Sequence, residues 1–193
     1  MVRTQTATRE RILDAAFKLF GRYGFKRTSM EDIADDAGLS RTALYLQFRN
    51  KEDIFRALAA GLHEQALSRA EVALESDQPL ADRLRAAVEA KTLRMVEIVR
   101  SSPHGSELTD EKNRLCGDMA TDSARRFQEM LTRAFIRADE QEIDLAVAGL
   151  SASEASDLFA RALTGLKGPD TTSARYRKHL ASLVKVFVRG LGG

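Results

Sequence analysis

Cysteine, proline and long apolar runs are scarce in this sequence of 193 residues, and each scarcity argues against a class of protein. Cys116 is the only cysteine, so no internal disulfide can form and a reducing, cytoplasmic compartment is expected. No run approaches the ~18 consecutive apolar residues of a membrane span. The first ten residues are polar, which predicts no secretory signal. Only three prolines, with alanine, leucine and arginine abundant, favour an all-helical protein.

Charge is uneven along the chain, although the net charge is only +2. Residues 1–51 contain ten Lys/Arg and six Asp/Glu, a balance of +4, and the remaining residues contain 20 and 22, a balance of −2. The segment Gly38–Lys51 has three basic residues and no acidic one, as a surface that binds a polyanion requires. A solvated helix face often has the same composition, so charge alone leaves both interpretations open.

Apolar residues recur at helical spacing along the whole chain, and no strand-like alternation is sustained. The sequence therefore predicts an all-α fold, with a three-helix domain at residues 1–50 and a larger helical domain at residues 51–193. Helices are predicted over about 8–23, 29–37, 41–48, from 51 onward, 79–100, 108–115, 118–138, 153–167 and 173–191. Residues 139–150 are predicted to be a loop.

The segment Thr28–Phe48 has the size and spacing of a helix-turn-helix. Thr28 and Glu31 form a capping-box pattern that would begin the first of its two helices. Gly38 permits the positive φ of a sharp turn, and Ser40 is the predicted N-cap of the second helix.

The outer face of this second helix carries the candidate chemistry. If Leu44 and Phe48 point into the core, then the residues left to face outward are Arg41, Thr42, Tyr45 and Leu46. An arginine, a hydroxyl and an aromatic ring without a carboxylate suit the major groove of DNA, because arginine can pair with guanine and hydroxyls can bind phosphate. A helical hairpin with an ordinary solvated face is the alternative.

Residues 9–55 resemble the N-terminal domain of the TetR family of one-component bacterial regulators. The matching stretches are Arg9–Ala16, Leu19–Phe20, Tyr23–Phe25, Thr28–Met30, Asp32–Ala34, Ala37–Ser40, Leu44–Tyr45, Phe48 and Asn50–Glu52. Beyond residue 75 only the succession of long helices resembles the family. The resemblance implies a DNA-binding transcriptional regulator, most simply a repressor that binds a palindromic operator in double-stranded DNA as a homodimer and is released by a small-molecule effector.

Position by position, the resemblance also implies a set of DNA contacts. Thr28 and Ser40 would bind phosphates, and Arg41 would face base edges. Tyr45 would press on the DNA backbone, and Lys51 would bind a phosphate at the start of the fourth helix, where the helix dipole helps. Thr28 could instead serve only as a cap, and Tyr45 could instead pack beside Phe48.

Two positions depart from the family pattern. Thr42 would also face base edges, but the family often has glycine there, so the approach of the helix to the bases is in question. Gln47 replaces the usual histidine, and it can still donate to a phosphate without contributing charge. These departures support a second hypothesis, in which the chain is a small-molecule-binding or scaffolding protein whose helix-turn-helix no longer binds DNA.

The helices predicted at residues 153–167 and 173–191 have wide apolar faces, which would expose much hydrophobic surface on a monomer. A four-helix interface with a second chain is the simplest way to bury them, and the resemblance implies the same. A monomer that buries both faces internally is the alternative. The predicted interface residues are Leu158, Phe159, Leu163, Leu180, Val184 and Phe187.

The resemblance further implies an effector pocket within residues 79–138. Methionines and phenylalanines at helical spacing are more often core than ligand wall, and a loop histidine is more often hydrated. The candidate ligand-binding residues are Arg94, Met95, His104, Asn113, Met119 and Phe127.

No cofactor, metal site or catalytic site is predicted. Cys116 and His104 could form a nucleophile and base, but no oxyanion motif accompanies them. Three histidines and one cysteine form no recognisable metal-ligand spacing.

Overall fold

The computed structural model describes residues 2–139, 141–166 and 172–192, and all regular structure within these ranges is α-helical. The all-α prediction is therefore confirmed for this part of the chain. The helices are α1 Val2–Tyr23, α2 Met30–Asp36, α3 Arg41–Tyr45, α4 Lys51–Glu75, α5 Leu80–Ser101, α6 Gly105–Leu115, α7 Gly117–Asp139, α8 Leu145–Ala148, α9 Ala152–Gly165 and α10 Ser173–Gly190.

The chain divides into two compact units. The first comprises the described residues of Met1–His63 and Met95–Ala120, and the second those of Glu64–Arg94 and Thr121–Gly193. The helices α4, α5 and α7 contribute residues to both units. A domain boundary near residue 50 stays a prediction.

The core of the first unit is built around a cluster of three phenylalanines. The ring centroids of Phe20, Phe25 and Phe55 lie 5.3 to 5.8 Å apart, with tilted and edge-on geometry. Leu44 and Phe48 are buried in the same core, as predicted, and so is Leu108 of α6. Each such side chain contributes ~1.5–3 kcal/mol when fully buried. The helix α6 is therefore part of the core of the helix-turn-helix unit.

The helix-turn-helix begins one residue later than predicted. The N-cap of α2 is Ser29, whose hydroxyl accepts from the Asp32 amide, while the Asp32 carboxylate accepts from the Ser29 amide. The capping box at Thr28 and Glu31 was wrong, because Thr28 is buried and its hydroxyl donates to the carbonyl of Gly24. The Ser29 hydroxyl also donates to the Asp32 carboxylate at 2.7 Å, and this bond, together with the one from the Ser29 amide, lowers the pKa of that carboxyl below its ordinary value.

The turn between α2 and α3 is a Schellman motif. Gly38 has φ +62, the Leu39 amide donates to the Ala34 carbonyl at 2.9 Å, and the Gly38 amide donates to the Asp35 carbonyl at 3.0 Å. Ser40 then caps α3 by accepting from the Ala43 amide at 3.1 Å. The predicted turn glycine and N-cap are confirmed, but α3 ends at Tyr45 rather than near Phe48.

The core of the second unit is built around Phe135, Phe159 and Phe187, with ring centroids 5.1 to 6.2 Å apart. Arg83 is also buried here, with 1% of its side chain exposed, and it pairs with Glu142. A second carboxylate oxygen of Glu142 accepts from the Leu80 amide at 2.6 Å, so this side chain also caps the start of α5.

Residues 139–150 contain a short helix, α8, where a loop was predicted. Asp144 is its N-cap and accepts from the amides of Ala146 and Val147, and Gly149 ends it with φ +66. A capping box of Ser151 and Glu154 begins α9. The helix predicted over 153–167 is described as far as Leu166.

Candidate DNA-binding interface

The helix α3 presents its polar and aromatic side chains outward, as predicted. Arg41 and Thr42 are exposed, Tyr45 is 43% exposed and Leu46 is 78% exposed. Leu44 on the opposite face is fully buried and fixes the rotation of the helix. The outer face of α3 therefore offers a cation, a hydroxyl and an aromatic ring to a partner.

Arg41 and Tyr45 interact with each other on this surface. The guanidinium carbon of Arg41 lies 5.6 Å from the centroid of the Tyr45 ring, at the (i, i+4) spacing of one helical turn. The ring supports the guanidinium group without occupying its hydrogen-bond donors. Those donors stay available for the paired acceptors that guanine presents in the major groove.

The helix α3 itself contains no carboxylate. The exposed residues Glu31, Asp35 and Asp36 belong to α2. Past α3, Arg49 pairs with Asp53 at 3.0 Å, and this bond lowers the pKa of the Asp53 carboxyl below its ordinary value. The segment Gly38–Lys51 contains no acidic residue, as noted from the sequence. The positive charge of Arg49 within it is partly balanced by the Asp53 carboxylate of α4.

Thr28 and Lys51 have partners within the chain. The Thr28 side chain is 2% exposed, and its hydroxyl hydrogen is directed to the Gly24 carbonyl at 2.7 Å. The Lys51 ammonium donates to the carbonyls of Phe25, Lys26 and Thr28 at 2.9, 3.2 and 3.1 Å. A phosphate contact by either side chain stays a prediction, and each would require an existing hydrogen bond to be exchanged.

The remaining predicted DNA contacts lie around α3. The Ser40 hydroxyl accepts from Ala43 and keeps its own hydrogen for a further acceptor. Gln47 lies in the turn after α3 and is half-buried. The Asn50 side chain accepts from the Asp53 amide at 2.8 Å and caps the start of α4.

Sequence reasoning missed Arg11, a residue of α1. Its guanidinium group donates to the carbonyls of Ala37 and Gly38, the latter at 3.2 Å. Arginine is common on exposed helix faces, so no local signal distinguishes this side chain from a solvated one.

Sequence reasoning also missed the contacts that residues 102–107 make with the end of α1 and with the turn after it. The Glu107 carboxylate accepts from the Lys26 amide at 2.7 Å, and the Ser102 hydroxyl donates to the Gly21 carbonyl at 2.7 Å. His104 Nδ1 lies 3.7 Å from the Glu107 carboxylate. The predicted effector candidate His104 therefore belongs to a contact with the helix-turn-helix unit.

The other effector candidates are divided between the two units. Asn113 is exposed and Met119 half-buried in the first unit, whereas Arg94 is exposed and Phe127 is buried in the core of the second. The side chain of Met95 lies outside the described residues. The ligand-binding role of the six residues stays a prediction.

The predicted interface residues lie together in the second unit. Phe159, Leu163, Leu180 and Val184 are buried in its own core, and Phe187 packs against it. The large apolar side chains that α9 and α10 expose are Leu158, at 50%, and Val186, at 71%. The role of these six residues in dimerisation stays a prediction.

Cys116 is buried, and burial raises the pKa of its thiol above the ordinary value. A neutral buried thiol is a poor nucleophile. Within the described residues, no three His, Cys, Asp or Glu side chains converge where a metal ion could bind. None of the described helices combines the length and apolar composition needed to cross a bilayer.

The fold defines an all-α protein with an N-terminal helix-turn-helix and a larger C-terminal helical region, and comparison with known proteins agrees. Residues 12–58 match the family model described as bacterial regulatory proteins of the tetR family. The HTH-type transcriptional regulator TtgR of Pseudomonas putida is 34% identical over 114 residues, covering 54% of this chain and 53% of TtgR. The chain thus spans about half the length of the curated relatives it matches.

Solved structures share the fold over nearly the whole chain. A transcriptional regulator from Cytophaga hutchinsonii is 20% identical with a TM-score of 0.76, covering 95% of this chain and 98% of that one. The SmeT–triclosan complex is 23% identical with a TM-score of 0.66, covering 95% and 90%. Residues 12–58 of the chain thus match the tetR family of bacterial regulatory proteins, and the solved structures share its fold.

Proposed function

We propose that this chain is a sequence-specific DNA-binding transcriptional regulator that binds a palindromic operator as a homodimer. The observation that carries the proposal is the outer face of α3. There Arg41, Thr42 and Tyr45 are exposed, no carboxylate is present, and Leu44 fixes the helix from behind. Two copies of α3 related by a two-fold axis would contact half-sites about one helical turn (~34 Å) or a multiple apart.

A second part of the proposal is that the regulator is a repressor released by a small-molecule effector. SmeT is described as the repressor of the multidrug efflux pump SmeDEF of Stenotrophomonas maltophilia, and it was solved with triclosan. That similarity supports the binding of a small-molecule effector by this chain. The chemical class of the effector stays open. An effector could act only by binding one conformation of the protein more tightly than another.

We also propose that α4 transmits the effect of effector binding to the helix-turn-helix. The helix α4 begins at Lys51 directly after the helix-turn-helix and continues to Glu75 in the second unit. A tilt of α4 would change the separation of the two α3 helices in a dimer. The contact of Glu107 with the Lys26 amide joins α6 to the same helix-turn-helix unit.

Selection from a randomised DNA pool followed by a gel-shift titration tests the proposal. Arg41→Ala should weaken binding about tenfold to a hundredfold, because a good base contact by arginine contributes ~1–3 kcal/mol. Tyr45→Ala should also weaken binding. Arg161→Ala is the matched control, because Arg161 lies on α9, where it pairs with Asp157. Affinity should fall steeply with salt concentration as phosphate counterions are released.

The alternative predicts a different outcome. A helical protein whose helix-turn-helix no longer binds DNA would select no duplex from the pool, and Arg41→Ala would change nothing. A flat salt response would likewise contradict the proposed phosphate contacts.

A further inference from the structure

The C-terminal end of α2 and the turn after it have more carbonyl groups than the backbone amides of that turn can pair by hydrogen bonding. The Schellman motif pairs the carbonyls of Ala34 and Asp35 with the amides of Leu39 and Gly38. The carbonyls of Ala37, the C-cap residue, and of Gly38 take no part in that motif. Unpaired carbonyls at a helix end carry the negative end of the helix dipole, so a cation is the favourable partner.

Arg11 of α1 supplies that cation. Its guanidinium group donates to both carbonyls, across 26 and 27 residues of sequence. The planar fork of arginine suits two neighbouring acceptors, whereas lysine would present a point charge. Gly38 leaves little spare room for this arrangement, since a Cβ there would lie 3.1 Å from the Arg11 Nη2 atom.

The helix α3 depends on contacts of this kind because it is short. It has five residues, which form little more than one turn, and a helix of that length is not stable by itself. Leu44 and Phe48 anchor one face in the core. Arg9, also on α1, lies with its guanidinium carbon 4.3 Å from the centroid of the Phe48 ring. Two arginines of α1 therefore contact the chain just before and just after α3.

We propose that Arg11 is a positioning residue for DNA recognition, which fixes the α2–α3 turn and thereby the orientation of α3 without contacting DNA. This inference rests on the proposed function. Sequence-specific binding requires α3 in one orientation, whereas attraction between basic side chains and phosphates tolerates several. Loss of Arg11 therefore lowers specific affinity and leaves non-specific affinity nearly unchanged.

The test uses the full chain and three variants. Arg11→Ala removes the contact, Arg11→Lys keeps the charge without the fork, and Lys18→Ala removes an exposed cation elsewhere on α1. Affinity is measured for a duplex selected by the wild-type protein and for a scrambled duplex of the same composition, each across a range of salt concentrations. Amide hydrogen exchange of the free proteins is measured in parallel.

Arg11→Ala should lose about tenfold in affinity for the selected duplex, which corresponds to one charge-assisted hydrogen bond. Its affinity for the scrambled duplex should change by less than about twofold, and the salt slope should not change. Arg11→Lys should fall between wild type and Arg11→Ala. Lys18→Ala should keep the wild-type ratio of the two affinities.

Two results from the DNA titrations would overturn the inference. If Arg11 binds a phosphate, both affinities fall together and the salt slope drops by about 0.9. If Arg11 only stabilises the fold, Arg11→Ala unfolds more easily, but the folded protein keeps the wild-type ratio of affinities.

Amide hydrogen exchange tests, without DNA, whether Arg11 fixes the α2–α3 turn. In Arg11→Ala the amides of Leu39 and Leu44, which donate to Ala34 and Ser40, should exchange about tenfold faster, while Ala16 in α1 should keep its rate. Unchanged exchange at Leu39 and Leu44 would refute the positioning role. If the wild-type chain selected no duplex, the proposed function would fail, and the exchange rates would still decide whether Arg11 fixes the turn.

Discussion

Gly24 ends α1 at the point where Glu107 of α6 contacts the following turn, and its replacement by alanine tests that packing. Gly24 has φ +86, a conformation that side chains with a Cβ rarely adopt. A Cβ placed there would lie 2.5 Å from the Glu107 Oε2 atom and 3.2 Å from the His104 Cγ atom. Alanine would therefore be strained in its backbone and would also displace Glu107.

The expected cost has two parts. The left-handed conformation costs alanine about 1–2 kcal/mol. Displacing Glu107 breaks its hydrogen bond to the Lys26 amide, which contributes about 1 kcal/mol for a partly exposed carboxylate. Gly24→Ala should thus lower the free energy of unfolding by about 2–3 kcal/mol.

Gly21 provides the matched control, because it lies three residues earlier, within α1. A Cβ there meets nothing within 4 Å. Gly21→Ala should stabilise the protein by about 0.5–1 kcal/mol, since alanine is the better helix former. The two glycine substitutions are therefore expected to have opposite signs.

Urea unfolding followed by circular dichroism, at one protein concentration, measures these changes. A double-mutant cycle separates the two parts: with Glu107→Ala as background, Gly24→Ala should cost only the backbone strain of about 1–2 kcal/mol. An equal cost in both backgrounds would refute the close contact with Glu107. A Gly24→Ala protein as stable as Gly21→Ala would refute the backbone argument as well.

Two further predictions concern ion pairs. Glu142→Ala should lower the free energy of unfolding by about 3 kcal/mol, because it leaves the buried guanidinium of Arg83 without its carboxylate. Urea unfolding measures this change, and a decrease of less than about 1 kcal/mol would contradict the prediction. Asp118 has its pKa lowered to about 2, first by the hydrogen bonds from Arg56 and then by the Met119 amide. Since the folded pKa lies below the ordinary 3.8, this pair stabilises the protein above about pH 4 and loses that effect as the pH falls towards 2. In Arg56→Ala, carboxyl titration by NMR should give Asp118 a higher pKa, still below 3.8, and an unchanged value would exclude Arg56 as the cause.

The outer face of α3 could be predicted from the local sequence pattern. Exposure of Arg41, Thr42 and Tyr45 follows from placing Leu44 in the core, because residues on opposite sides of a short helix are separated by fixed angles. Ser40 as a cap follows equally from local chemistry. These features depend only on residues within one or two turns.

The start of α2 shows where local patterns become ambiguous. Thr28 with Glu31 and Ser29 with Asp32 both satisfy the spacing of a capping box. The choice between them depends on the burial of Thr28 and its hydrogen bond to Gly24, which arise only when the turn packs. The same holds for α8, whose four residues are too few for a periodic signal.

The sequence alone determined the helical fold, the helix-turn-helix, its turn glycine and its outward face, because spacing of three or four residues specifies each of them. Tertiary structure decided which polar side chains are free to meet a partner. Lys51 and Arg11 donate to carbonyls 23 to 27 residues away, and Glu107 accepts from an amide 81 residues away. Such pairs form because every buried or helix-end polar group needs a partner, and only the folded chain brings that partner within reach.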